Sequence, residues 1–319
     1  MILVTGATGF VGRHLIQRLL QDNQQVRVLI PEHQLNNIRE YQSDENPFEI
    51  VVGTLMDDEA LYQAVSGVHL IIHLDSAMWW GRQREIERFE LVGTRNLIAA
   101  ARAARVGRMM VLSHLGASPS SAFVLLRMKG QFEALVRDSG LAYTILRVGI
   151  LFGEDDVFIN HIASTMSLNP VYHLMPGIGE IVLHPLYIDD LIEAMVRCLG
   201  QLNTVDQIIE IGGIEYITYS DLLSTIMRLT GKSPYVVSVP PYFMRFLVRL
   251  QGLVFRRTLM TQQTLDYIAA SRTAPLNNLY HTFGITAHRL EDTLLRYLPQ
   301  KRLWGQAIRH AFKRRPKSI

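Results

Sequence analysis

The chain of 319 residues holds one cysteine, Cys198, so it can form no intrachain disulfide and no cysteine-based metal cluster. Lying in "DDLIEAMVRCLG", at helical spacing among apolar residues, Cys198 reads as a small buried hydrophobe. The 11 histidines are scattered with no HEXXH or Cys-His spacing, and no metal site is expected. The chain has no serine elbow and no Walker lysine. It also lacks the interleaved aromatic and basic residues that single-stranded nucleic-acid binders use, so no nucleic-acid partner is expected. No low-complexity segment is present. No positively charged stretch precedes the first apolar run, "MILVTGATG", so the expectation is a cytoplasmic protein without a cleavable secretory signal.

What is present suits an ordinary globular protein: 48% of residues are hydrophobic and 19% charged. The formal charge of +3 is unevenly placed. Residues 300–319 hold Lys301, Arg302, Arg309, Lys313, Arg314, Arg315 and Lys317 and no acid, which leaves the body acidic and the end basic. Such a tail calls for an electrostatic partner of its own.

Short β-branched runs alternate with helical segments: "ILVTG", a helix over 10–22, "VRVLI", "FEIVVG", "HLIIHL", a helix over 86–105, "RMMVLS", a helix over 127–139 and "AYTILRVG". The strands are continuously apolar, as strands covered on both faces must be. The fold class predicted is therefore α/β, a Rossmann-type doubly wound parallel sheet with a smaller, mostly helical C-terminal lobe. "QIIEIGG" at 207–213 is expected to join the same sheet. The domains expected are residues 1–155 with about 180–215 for the nucleotide-binding part, 156–179 with 216–298 for the small lobe, and 299–319 as a basic amphipathic tail.

"VTGATGFVGRHL" sets Gly6, Gly9 and Gly12 between a strand and a helix. That context calls for one glycine at the tight turn, one where a pyrophosphate approaches the backbone and one where helix meets strand, with phosphate at the helix N-terminus. The same spacing also serves as a plain tight turn without a ligand.

Together with "HLIIHL", "GTRNLIAAARAARVGRMMVLS", "LAYTILRVGILFG" and "HPLYIDDLIEAM", the loop resembles the extended and atypical short-chain dehydrogenase/reductases, the NAD-dependent epimerase/dehydratase-like group. The nearest branch resembles the NAD(P)-binding accessory subunit of respiratory complex I, with "FGEDDVFIN" as a shared fragment. The likeness covers residues 1 to 298. It implies NAD or NADP as cofactor, held by Gly6, Thr8, Gly9, Phe10, Val11, Gly12, Thr54, Leu55, Leu74 and Lys129. Of the family's catalytic Ser, Tyr and Lys, it leaves Ser113 and Lys129.

The tyrosine, four residues before the lysine in "FVLLRMKGQFE", is Leu125, which has no proton to give. General acid-base catalysis contributes on the order of 10²–10⁴-fold, so its loss argues for a chain that binds nucleotide without the family's chemistry. His114 is a poor substitute, because neighbouring strand residues face opposite ways and Ser113 takes the cofactor side. After the second strand stand Pro31 and Glu32, where an arginine would hold a 2′-phosphate, so NAD is favoured over NADP. The family's Gly-Asp-Leu becomes Gly53-Thr54-Leu55. Asp75 and Ser76 follow the fourth strand, and a carboxylate there either repels a pyrophosphate or caps the next segment. Asp189 and Asp190 read as a helix start. Arg147, at a strand end, is a candidate substrate contact.

Two segments suit a surface role. "PPYFMRFLVRLQGLVFRRTL" at 240–259 is too interrupted by arginine to span a bilayer, yet able to lie on one or to pack on the small lobe. In "RLWGQAIRHAFKRR", Leu303, Trp304, Ala307, Ile308, Ala311 and Phe312 form one apolar stripe among basic residues, which suits an anionic membrane surface or a partner groove. The reading at this point is an NAD(P)-binding, non-catalytic accessory, assembly or sensing protein, peripheral on the cytoplasmic membrane face. An active epimerase or reductase with a non-standard proton donor and a nucleotide-free scaffold remain the alternatives.

Overall fold

The computed structural model describes residues 1–39, 47–76, 78, 83–254, 260–300, 303 and 305. In chain order the elements are β1 (Ile2–Thr5), α1 (Phe10–Gln21), β2 (Val26–Ile30), α2 (Leu35–Arg39), β3 (Glu49–Val52), α3 (Asp58–Val65), β4 (Leu70–His73), α4 (Gln83–Glu87), a π-helical turn (Arg88–Gly93), α5 (Thr94–Ala103), β5 (Arg108–His114), α6 (Val124–Arg137) and β6 (Ala142–Val148). They continue through β7 (Ile150–Phe152), α7 (Phe158–Leu168), β8 (Tyr172–Pro176), β9 (Val182–Leu183), β10 (Pro185–Tyr187), α8 (Ile188–Gly200), β11 (Gln207–Ile211), β12 (Ile217–Thr218), α9 (Tyr219–Thr230), β13 (Tyr235–Val239), α10 (Pro241–Val254), α11 (Gln262–Tyr267), α12 (Asn278–Phe283) and α13 (Leu290–Tyr297).

The described residues fall into two compact units, those of 1–148 with 191–210, and those of 149–190 with 211–305. The first carries a seven-stranded sheet in the order β11-β6-β5-β4-β1-β2-β3, and β1 through β6 all pair in parallel. This is the Rossmann-type doubly wound order, reversing direction between β1 and β4, where the crevice at the strand ends opens for a ligand. All four residues of β1 and of β4 are buried, as strands sandwiched between helices require. On one face Leu3, Ile71, Val111 and Ile145 meet Leu61 and Ala64 of α3, Leu97 and Ala101 of α5 and Phe132 and Val136 of α6. The expected strand at 207–213 is β11, at the sheet edge beside β6.

One helical stretch departs from the sequence reading. The single helix expected over 86–105 is α4, the π-helical turn and α5. A π turn inserts an extra residue and resets which side chains face inward. Glu90 lies in that turn and is buried.

The second unit is smaller in its sheets and mostly helical. Three two-stranded ribbons, β10-β7, β12-β9 and β13-β8, are braced by α7 and α9 to α13. Thr218 caps α9 by accepting from the Asp221 backbone N–H at 3.1 Å, and Gly231 ends that helix in the left-handed region at φ +65°. Most of the tail expected over 299–319 lies outside the described residues. Leu303 is an exception, and it is buried, so the first apolar residue of that stripe belongs to the body of the protein.

Candidate functional site

The glycine loop joins β1 to α1 at the sheet's switch point. Gly6 adopts φ +69°, and a Cβ there would stand 2.6 Å from the Leu74 carbonyl carbon and 2.7 Å from the Asp75 nitrogen. Only glycine permits so close an approach of β1 and β4. A Cβ on Gly12 would lie 2.3 Å from the Gly6 oxygen, so the start of α1 presses directly against the turn. Gly9 is the N-cap of α1, with no side chain capping the helix, and it is exposed. The first turn thus presents backbone N–H groups and the positive end of a helix dipole to any anion brought there.

Around the loop, the Thr8 hydroxyl donates to the Gln34 side-chain oxygen, in the short 3₁₀ turn after β2. Phe10 packs edge-on to His14 with ring centroids 5.4 Å apart, and Val11 is half-buried. Thr54 accepts from the Met56 N–H at 3.2 Å, and the buried Leu55 offers its carbonyl to Asn96 at 2.9 Å. Leu74 donates its N–H to the Thr5 carbonyl at 3.2 Å. Pro31 caps the 3₁₀ turn and Glu32 is exposed, so no cation stands at these two positions.

Leu125 and Lys129 are both on α6 and both buried, at 1% and 5% exposure. The Lys129 Nζ donates to Glu90 Oε2 at 2.7 Å and sits 4.7 Å from the centre of the Phe132 ring. Glu90, with no exposed surface, also accepts from the Ser76 hydroxyl through its other oxygen. The lysine is therefore held in an internal cage of carboxylate and ring rather than on a solvated helix face. His73, below it, bridges Thr5 at 2.6 Å and Thr94 at 3.0 Å. Burial, aided by the Lys129 cation, pushes its imidazole down to about 3, so it is neutral at physiological pH. Asp75 is pushed up to about 6, first by burial and then by the neighbouring Glu90 charge, with the Ser76 backbone N–H opposing.

Ser113, at the end of β5, is buried, and its hydroxyl has no hydrogen-bond partner among the described residues. Such a group is a candidate for a ligand contact. His114 turns away, with Nε2 3.0 Å from the Met78 sulfur. Arg147 is occupied inside its own unit: it makes two bonds to Glu133, at 3.0 and 2.7 Å, one to Glu210 at 3.1 Å and one to the Ala117 carbonyl at 3.2 Å. The substrate contact expected of it meets a side chain already engaged in structural pairing. In the second unit, Asp189 and Asp190 stand at the start of α8, where Asp190 holds His288 at 2.7 Å. Cys198 is buried, and burial lifts its thiol to about 11, which makes it inert.

A protein-family model described as NAD(P)H-binding matches residues 6–166, which take in the glycine loop, Glu90, Ser113 and Lys129. The chain belongs to the NAD(P)H-binding family. As an atypical short-chain dehydrogenase/reductase, it takes NAD or NADP as its nucleotide. It is 27% identical over 249 residues to the photosystem II assembly factor Ycf39 of Cyanophora paradoxa, covering 76% of this chain and 73% of that protein. It is 26% identical over 315 residues to NADH dehydrogenase [ubiquinone] 1 alpha subcomplex subunit 9 of Dictyostelium discoideum, covering 92% and 82%. To the ceramide reductase of Caulobacter vibrioides it is 25% identical over 246 residues, covering 75% and 74%. The fold matches that of MoeE5, solved with UDP-glucose and NAD, at a TM-score of 0.70 and 18% identity over 96% of this chain and 98% of that one.

The glycine cradle, the uncapped helix and the unpartnered Ser113 hydroxyl fit such a nucleotide. Sequence reasoning missed Glu90, His73, Thr94, Phe132 and Gln34. A signal for Glu90 existed: it stands four residues after Ile86 and four before Thr94, both buried, so an acid occupies the apolar face of a helix.

Proposed function

We propose that this protein binds a nicotinamide dinucleotide without turning it over by the family's tyrosine-lysine chemistry, and serves as an accessory or assembly component beside a membrane-associated complex. The observation that carries the reading is the capture of Lys129 by Glu90 at 2.7 Å, on a helix whose tyrosine position is the buried Leu125. A lysine so paired can neither lower a phenol's pKa nor reach freely for a ribose, and there is no phenol to act on. Gly6, Gly9 and Gly12 cradle the pyrophosphate, with Thr8, Phe10, Val11, Thr54, Leu55 and Leu74 around the adenosine half and Ser113 toward the nicotinamide. With Pro31 and Glu32 after β2, NAD is preferred to NADP. Bound nucleotide then stabilises the fold by mass action. The relatives described as an assembly factor and as a complex subunit support the accessory role. Peripheral placement on a membrane face rests on the basic residues of 300–319.

Asp75 favours a second reading, an active reductase or epimerase. With its carboxyl pushed up to about 6 beside the Gly6 turn, it has the proton affinity of a general acid, and one relative is described as a reductase. The test begins with protein purified without added nucleotide, denatured, and its released small molecules identified by mass spectrometry. Stoichiometric NAD(H) or NADP(H), with no oxidation or reduction of candidate substrates, supports the proposal. Turnover at enzyme-like rates overturns it in favour of the second reading. A chain that carries no nucleotide and binds none when it is added is a scaffold.

A further inference from the structure

We infer that the second unit carries a binding face for an anionic lipid bilayer, built from β13 and α10. This inference rests on the peripheral placement proposed above but stands on a different segment. α10 has two apolar faces. Met244 and Val248, one turn apart, are buried against the unit, as any packed helix requires. The opposite face should then be polar, yet Tyr242, Phe246 and Leu250 are 76%, 59% and 49% exposed, with Phe243 beside them. β13 runs into this helix through Pro240, whose carbonyl accepts from the Phe243 and Met244 N–H groups. The strand adds Tyr235 at 80% exposure together with Val236 and Val237.

Charge selects the occupant. Between Asp221 and Asp266 the chain has no acidic residue, while Arg228, Lys232, Arg245, Arg249, Arg256 and Arg257 all fall within that span. Arg228 pairs with Glu291 at 2.9 Å and Arg245 is drawn in to Asp266 at 2.6 Å, which leaves the exposed Lys232 and, on the outer side of α10, the exposed Arg249. Large apolar and aromatic side chains beside an exposed arginine, on a segment whose sequence has cations and no acid, match a surface of acidic headgroups over acyl chains. The 14 residues of α10 make a rod of about 21 Å, and no described helix is long and apolar enough to cross a membrane, so it would lie in the interface plane. Tyrosine and phenylalanine belong at that depth, the ring in hydrocarbon and the phenol in headgroups.

The test is cosedimentation of the full chain with vesicles of phosphatidylcholine alone and of phosphatidylcholine mixed with phosphatidylglycerol. Preferential binding to the acidic vesicles, weakened by salt, is expected. It should fall at least about tenfold in Tyr242→Ser/Phe246→Ser/Leu250→Ser and in Arg249→Glu, all at exposed positions. Thermal midpoints and nucleotide content equal to wild type certify the fold. If the triple variant misfolds, Arg249→Glu alone decides. Binding unchanged in these variants but abolished by deleting 299–319 overturns the inference and leaves the peripheral placement standing. Equal affinity for both vesicle types overturns the lipid class. A wild-type dimer that dissociates on the triple substitution gives the face to a second copy of the chain. None of these outcomes touches the nucleotide-binding reading, which the release experiment tests separately.

Discussion

Removing one member of the Glu90–Lys129 pair should destabilise the protein far more than removing both. Glu90 has no exposed surface, the Lys129 side chain is 6% exposed, and the two are 2.7 Å apart. In Glu90→Leu the ammonium loses its carboxylate and, among the described residues, keeps the Phe132 ring face, while the Ser76 hydroxyl loses its acceptor. A buried charge left without its partner costs about 3–5 kcal/mol. For a cooperative unit of this size, that lowers the thermal midpoint by about 6–20 °C. Lys129→Met strands the carboxylate and should cost a similar amount. In Glu90→Leu/Lys129→Met the charges are gone and the volume is nearly kept, so stability should return to within about 1–2 kcal/mol of wild type. Urea unfolding of the four proteins closes the cycle and yields the coupling directly. If Glu90→Leu costs less than about 1 kcal/mol, the ammonium is not held by Glu90 and Lys129 is free for catalysis.

Asp75→Asn should stabilise the protein at pH 7 and lose that advantage in acid. A carboxyl raised to about 6 in the fold, against 3.8 unfolded, binds its proton more tightly when folded; wild type therefore gains stability relative to the variant as pH falls through 6 towards 4. The difference at pH 7, on the order of 1–3 kcal/mol, is read by denaturation at the two pH values, and a pH-independent difference would refute it. Gly12→Ala should cost about 1–3 kcal/mol and abolish nucleotide retention, because its Cβ would sit 2.3 Å from the Gly6 oxygen; an unaltered thermal midpoint with bound nucleotide would contradict the cradle. Ser113→Ala should be neutral or stabilising by up to about 1 kcal/mol in nucleotide-free protein, while weakening the binding of added NAD in a titration. Leu125→Tyr, forced into a site 1% exposed, should destabilise by about 1–3 kcal/mol and confer no turnover while Glu90 holds Lys129; dehydrogenase activity in that single variant would count against the caged lysine.

The parts of this protein legible in its sequence are those governed by local rules. Apolar runs of four to seven residues between amphipathic stretches specify parallel strands covered by helices, and Gly6 and Gly12 specify the β1–α1 turn because a Cβ at either would stand 2.6 or 2.3 Å from backbone atoms. The missing tyrosine at 125 was equally visible, since a proton donor is a matter of residue type. What each polar side chain does with its charge was decided by tertiary contacts. Lys129 could have been a ribose contact or a solvated charge by sequence, and only the fold showed it buried, with its ammonium on a glutamate 39 positions away in a π-helical turn. Arg147 likewise faced an open strand end until Glu133 and Glu210 closed on it. The segment 240–259 was legible as apolar and interrupted by arginine, able to lie on a bilayer or to pack on the small lobe, and only burial of Met244 and Val248 showed which side of α10 packs inward and which aromatic side is left outside. Backbone geometry follows from neighbours along the chain, whereas the pairing of buried charges and the exposure of apolar faces depend on residues that only folding brings together.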